Sequence, residues 1–218
     1  MENTKIEEAY NDTFSGLTMY YRDCELKQEL ISKYKIDQIL LERGFTDVSN
    51  FAEGLSKKLR YAIASNKAVN MAQVNPEVAK FGFNLISAPS HYKVLDIYTV
   101  GNQTQVLLLH FDEKFIDIFK STKSNVEEKV VGMGRESLDK KIQMNPNGDL
   151  NGKEWTERTQ FPIGMSDNGD FFLPISDNIV AEKKSAHKEP IKTESNNESE
   201  VKPKPNEDKK GFWKRLFG

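Results

Sequence analysis

Among the residues able to do chemistry, His110 has the most suggestive neighbours. In His110-Phe111-Asp112-Glu113 an imidazole stands close to two carboxylates, a grouping that could move a proton or hold a metal ion. Its spacing matches no ligand or catalytic pattern, and a strand-end histidine beside a helix-capping aspartate accounts for the same residues. His91 falls at a turn and His187 in a charged tail. Cys24 is the single cysteine, so no intramolecular disulfide can form, and it reads as a packing thiol of a reducing compartment. The oxygen-rich runs Asn145/Asn147/Asp149/Asn151 and Asp167/Asn168/Asp170 lack the acidic twelfth position of an EF-hand, and turn chemistry explains them. Gly132-Met133-Gly134 lacks the third glycine and the Lys-Ser/Thr of a phosphate loop. No cofactor and no metal site is expected.

The chain's end carries a different kind of signal. Phe212, Trp213, Leu216 and Phe217 follow a charged stretch, and at helical spacing they share one arc, with Lys214 and Arg215 opposite. Such a segment suits docking to a protein partner or an anionic membrane surface. Fold-back onto the chain's own domain is the alternative. A helix of eight residues is not stable alone in water, so its contact is weak and reversible.

Bulk composition bounds the rest. The 218 residues are 37% hydrophobic and 29% charged, with 31 basic against 33 acidic side chains. Residues 182–218 hold 10 basic and 7 acidic side chains, which leaves 21 and 26 in the body. A mildly acidic body argues against nucleic-acid binding, and a basic end favours an acidic surface. No apolar run is long enough to span a bilayer and no signal peptide opens the chain. A cytoplasmic protein, with membrane association through its tail as an option, is the expectation.

The elements that would position these groups begin with helices. Ile6, Tyr10, Phe14, Leu17 and Tyr21 recur every three to four residues, and Leu26, Leu30, Ile31 and Tyr34 extend the pattern. A short helix through Ile36, Ile39 and Leu40 would end at Gly44. Thr46 or Asp47 would cap another, with Val48, Phe51, Ala52, Leu55, Leu59, Ala62 and Ile63 as its stripe and Lys57, Lys58 and Arg60 solvated. The run Gly44-Phe45-Thr46-Asp47-Val48-Ser49-Asn50-Phe51, followed by Lys57-Lys58, resembles the second helix-turn-helix of AraC-type transcription regulators. That resemblance implies a DNA-binding regulator using residues 36–63.

Beyond Phe81 the period changes. Residues 83–86, 92–100 and 105–111 read as strands, the last two joined by a tight turn at Gly101-Asn102. Asp112-Glu113 opens a helix through Phe119. Residues 125–143 have helical spacing weakened by Gly132 and Gly134. Two Asn-Gly pairs, at Asn147 and Asn168, suggest hairpins, the second joining strands near 158–164 and 170–174.

The sequence thus predicts an α+β protein: a helical region over residues 1–66, an α+β region with a small antiparallel sheet over 67–181, a disordered charged linker over 182–210 and the docking motif 211–218. The function expected is that of a non-catalytic interaction or adaptor protein. The alternatives are the DNA-binding regulator and a small enzyme with its site near His110, Asp112 and Glu113.

Overall fold

Leu59-Arg60-Tyr61-Ala62-Ile63-Ala64-Ser65 is buried at every position. A strand covered on both alternating sets of side chains must lie in the middle of a sheet with a layer on either face. The computed structural model, which describes residues 2–172, has that arrangement. Its strands are β1 (Thr18–Cys24), β2 (Ile39–Glu42), β3 (Thr46–Ser49), β4 (Leu59–Ser65), β5 (Val69–Asn70), β6 (Phe83–Ile86), β7 (Ser90–Val100) and β8 (Gln103–Phe111). Its helices are α1 (Glu2–Phe14), α2 (Gln28–Ile31), α3 (Ile116–Ser121), α4 (Asn125–Lys141) and α5 (Lys153–Thr159), with short 3-10 turns between several elements. The strands form one eight-stranded sheet in the order β2-β7-β8-β4-β1-β3-β6-β5. The β4–β8 pair is parallel and the other pairs are antiparallel.

Each face has its own core. On one, Cys24, Leu59, Tyr61, Ile63, Val106 and Leu108 pack with Tyr34, Ile163 and Met165 from the connecting segments. On the other, Tyr21, Ala62, Ala64, Leu107 and Leu109 pack against residues of α1, α3 and α4. The α4 glycines serve this second layer. A Cβ on Gly134 would stand 3.1 Å from Leu107 Cδ2, and the Gly134 carbonyl accepts a hydrogen bond from Gln105 Nε2 at 3.0 Å. Close approach of helix to sheet offsets the helix propensity that glycine gives up.

The expected helical region of residues 1–66 is corrected. Only α1 and the single turn of α2 are helical there, and the rest of that span forms four strands of a mixed sheet. Leu17 and Tyr21 continue the α1 spacing by coincidence; the chain turns at Gly16, whose φ is +71°, and Tyr20, Arg22 and Cys24 then alternate with Tyr21 and Asp23. Residues 59–63 imitated a helical stripe because a central strand is apolar on both faces. The helix-turn-helix over 36–63 is corrected likewise: those residues hold β2, β3 and most of β4, so no recognition helix is formed. The strands expected at 92–100 and 105–111 do form, with Gly101 in the left-handed region at the turn. The hairpin expected near 158–174 is reduced to one bridge between Met165 and Phe171, and residues 153–159 are helical instead. The linker 182–210 and the motif 211–218, including Phe212, Trp213, Lys214, Arg215, Leu216 and Phe217, lie outside the described residues.

Candidate functional site

Alternation along β1 puts Tyr20, Arg22 and Cys24 on one face of the sheet. β1 lies between β3 and β4, so Arg22 stands near the middle of the molecule, 6% exposed. Buried cations are expected beside carboxylates. Arg22 has carbonyl oxygens instead: Nε donates to Thr159 O at 3.4 Å and Nη2 donates to Phe161 O at 2.7 Å. No Asp or Glu pairs with it among the described residues; Asp47 acts on it at longer range and is itself paired with Arg158 at 3.2 Å.

The segment over Arg22 behaves as a strap. Cys24 Sγ donates to Gln160 O at 3.3 Å, and burial pushes that thiol up to about 11. Tyr34 Oη donates to Ile163 O at 2.7 Å and lies 2.6 Å from Tyr61 Oη, which accepts from Ile163 N at 3.4 Å. Burial raises the phenols of both tyrosines well above their usual range. Gly164 N donates to Glu42 Oε2 at 2.8 Å. Backbone groups of residues 159–164 thus satisfy polar side chains that the sheet and the α2 turn aim at one face. This face is polar where a plain core would be apolar.

Two clefts open beside Arg22's strand. One, of about 260 Å³, is lined by Asp23, Cys24, Glu25, Lys57, Thr159 and Gln160 among others. Another, of about 330 Å³, shares Glu25 and adds Lys27, Lys58 and Thr104. Lys57 and Lys58, expected as a solvated helix face, therefore belong to cleft walls. Glu25 and Glu157 place carboxylates beside these cations.

The His110, Asp112 and Glu113 grouping does not converge. His110 is 6% exposed on β8, with Nδ1 2.8 Å from Ser65 Oγ. Ser65 Oγ also accepts from Lys67 N at 3.1 Å. Burial and Lys67 lower the imidazole to about 4, which keeps it neutral. Asp112 turns to Lys67 at 3.4 Å and caps the following turn through Lys114 N, and Glu113 is exposed. Ser65 is fully buried and reaches no substrate. The oxygen-rich runs are turns: Asn147 Oδ1 accepts from Asp149 N at 2.9 Å. Among the described residues no cluster of His, Cys, Asp or Glu could hold a metal ion, and no helix is long and apolar enough to cross a membrane. Sequence reasoning missed Arg22, Tyr34 and Tyr61. The signal present was the period-two alternation of Met19 to Cys24, hidden by the helical spacing before it.

No protein-family model and no curated protein matches the chain. Solved structures do. The chain is similar to the Vis toxin, an ADP-ribosyltransferase of Vibrio splendidus, at 16% identity, covering 44% of this chain and 49% of that one, with a TM-score of 0.35. It is similar to the ADP-ribosyltransferase HopU1 of Pseudomonas syringae at 10% identity, covering 44% and 46%, with a TM-score of 0.38. Exoenzyme S of Pseudomonas aeruginosa, solved with human 14-3-3 beta and carba-NAD, matches at 8% identity over 59% and 62%, with a TM-score of 0.40. The chain spans about half the length of Vis and HopU1. At these values the likeness assigns no residue a role. The names these neighbours carry are those of enzymes, the finding that stands against the expected non-catalytic adaptor.

Proposed function

We propose that the protein is an enzyme acting on a phosphate-bearing, nucleotide-type substrate that binds at Arg22. One observation supports this reading above the others: a guanidinium buried at the centre of the sheet whose hydrogen bonds go to carbonyls, with no carboxylate paired to it among the described residues. A buried charge left without a counter-ion costs stability, and such groups cluster at functional sites. Arginine's planar fork matches a phosphate bidentately. Lys27, Lys57 and Lys58 add positive charge to clefts that share Cys24, Glu25 and Thr159 with the surroundings of Arg22, which itself lines neither. Glu25 and Glu157 are the carboxylates available to accept a proton or to stabilise cationic character at a reacting centre.

NAD is the first ligand to try, a choice taken from the names of the neighbouring structures, which contribute nothing further. Calorimetric titration of the full-length protein with NAD tests the reading: saturable binding, lost in Arg22→Gln, supports it, and equal binding by the variant refutes it. The remaining expectations are carried as proposals: a cytoplasmic enzyme whose segment Phe212–Phe217 meets a protein partner or an anionic membrane surface. Truncation after residue 210 with unchanged partners and unchanged vesicle binding would remove that part.

A further inference from the structure

Thr159 and Ile163 are fixed points of the strap; of the three residues between them Pro162 is buried, and Gln160 and Phe161 are not. Thr159 is 1% exposed and its Oγ1 donates to Trp155 O at 3.1 Å. Ile163 is fully buried and tied to Tyr34 and Tyr61 through its own carbonyl and amide. Gln160 and Phe161 are exposed, Phe161 by 50%. Yet their carbonyl oxygens turn inward, to Cys24 Sγ at 3.3 Å and Arg22 Nη2 at 2.7 Å. The Gln160 side chain is tied back to the Glu157 carbonyl, at 2.9 Å.

From this geometry we infer that Gln160 and Phe161 form a latch, in which the Phe161 carbonyl holds the place on Arg22 that a substrate phosphate oxygen takes when the site is filled. The inference rests on the proposed role of Arg22. The exchange replaces a single neutral acceptor by an anionic one that the guanidinium fork can grip with two parallel bonds. Only the short span between two buried anchors has to move, so opening leaves Ile163 and Met165 in their core. The closed latch lowers apparent affinity by the fraction of molecules that are open. Cys24 reports on the same event, because the Phe161 carbonyl that meets Arg22 also lies 3.8 Å from its thiol.

The test compares the full-length protein with its Gln160→Gly/Pro162→Gly variant, which frees the latch backbone while both anchors stay. NAD binding is followed by calorimetry, and Cys24 accessibility by its rate of reaction with an aromatic disulfide. The latch predicts that the variant labels at Cys24 about five-fold faster or more, and binds NAD several-fold more tightly. Faster labelling with unchanged or weaker NAD binding overturns it, and so does an unchanged labelling rate. Where the double variant fails to fold, Gln160→Gly alone is read in the same way. If NAD binds neither protein, the Arg22 reading fails and takes the latch with it. If both proteins bind equally, only the latch falls.

Discussion

The guanidinium of Arg60 grips the carboxylate of Asp23 with two hydrogen bonds, Nε to Oδ1 at 2.6 Å and Nη2 to Oδ2 at 2.8 Å, on the face of the sheet opposite Arg22. Both side chains are almost wholly buried, at 3% and 6% exposure. The remaining Arg60 donors reach the carbonyls of Glu53 and Gly54, and Asp23 also accepts from Ser56 N. Here a buried arginine has its counter-ion, a contrast that makes the carbonyl hydrogen bonds of Arg22 informative. A pair of this kind holds structure, and removing one partner strands the other charge. Asp23→Ala should therefore destabilise the protein by about 3–5 kcal/mol, read from the urea midpoint at neutral pH.

His110 predicts an acid limb in stability. Its folded value of about 4 lies below the ordinary imidazole value of 6.5, so between those values the unfolded chain binds a proton that the folded one refuses. Stability is then independent of this group above about pH 6.5 and falls as pH drops towards 4, by on the order of 2–3 kcal/mol. His110→Asn keeps a hydrogen-bonding partner for Ser65 and should flatten the stability profile over that window. A profile as steep as the wild type's would place the titration elsewhere.

Gly164 is required twice over. Its φ is +79°, and a Cβ there would stand 2.9 Å from Leu40 Cβ. Gly164→Ala should cost about 1–3 kcal/mol through backbone strain and crowding, measured by thermal unfolding. Tyr34→Phe strands the Ile163 carbonyl and a bond of Tyr61, so it should cost about 1–2 kcal/mol without altering the fold.

Legibility in the sequence followed burial. β7 and β8 were readable because β-branched and aromatic residues flank a glycine turn, and that signal is local. β4 was not, because Leu59, Tyr61 and Ile63 on one face and Ala62 and Ala64 on the other leave no alternation to see. α4 was obscured by Gly132 and Gly134, and only the sheet beneath shows why Gly134 belongs in a helix. The site itself was out of reach. Arg22 meets Thr159 and Phe161 across 137 and 139 positions of chain, and no spacing rule links residues so far apart. His110 stood out for its acidic neighbours, yet the contact that fixes it comes from Ser65, 45 residues earlier.

Whether Arg22 holds an anionic ligand is tested most directly by calorimetric titration of the protein with NAD, beside Arg22→Lys and Arg22→Gln. Saturable binding by the wild type, weakened about ten-fold or more in Arg22→Lys and abolished in Arg22→Gln, is the predicted result. Variants that fold like the wild type and bind NAD equally well, or a wild-type protein that takes up no NAD at all, would contradict it.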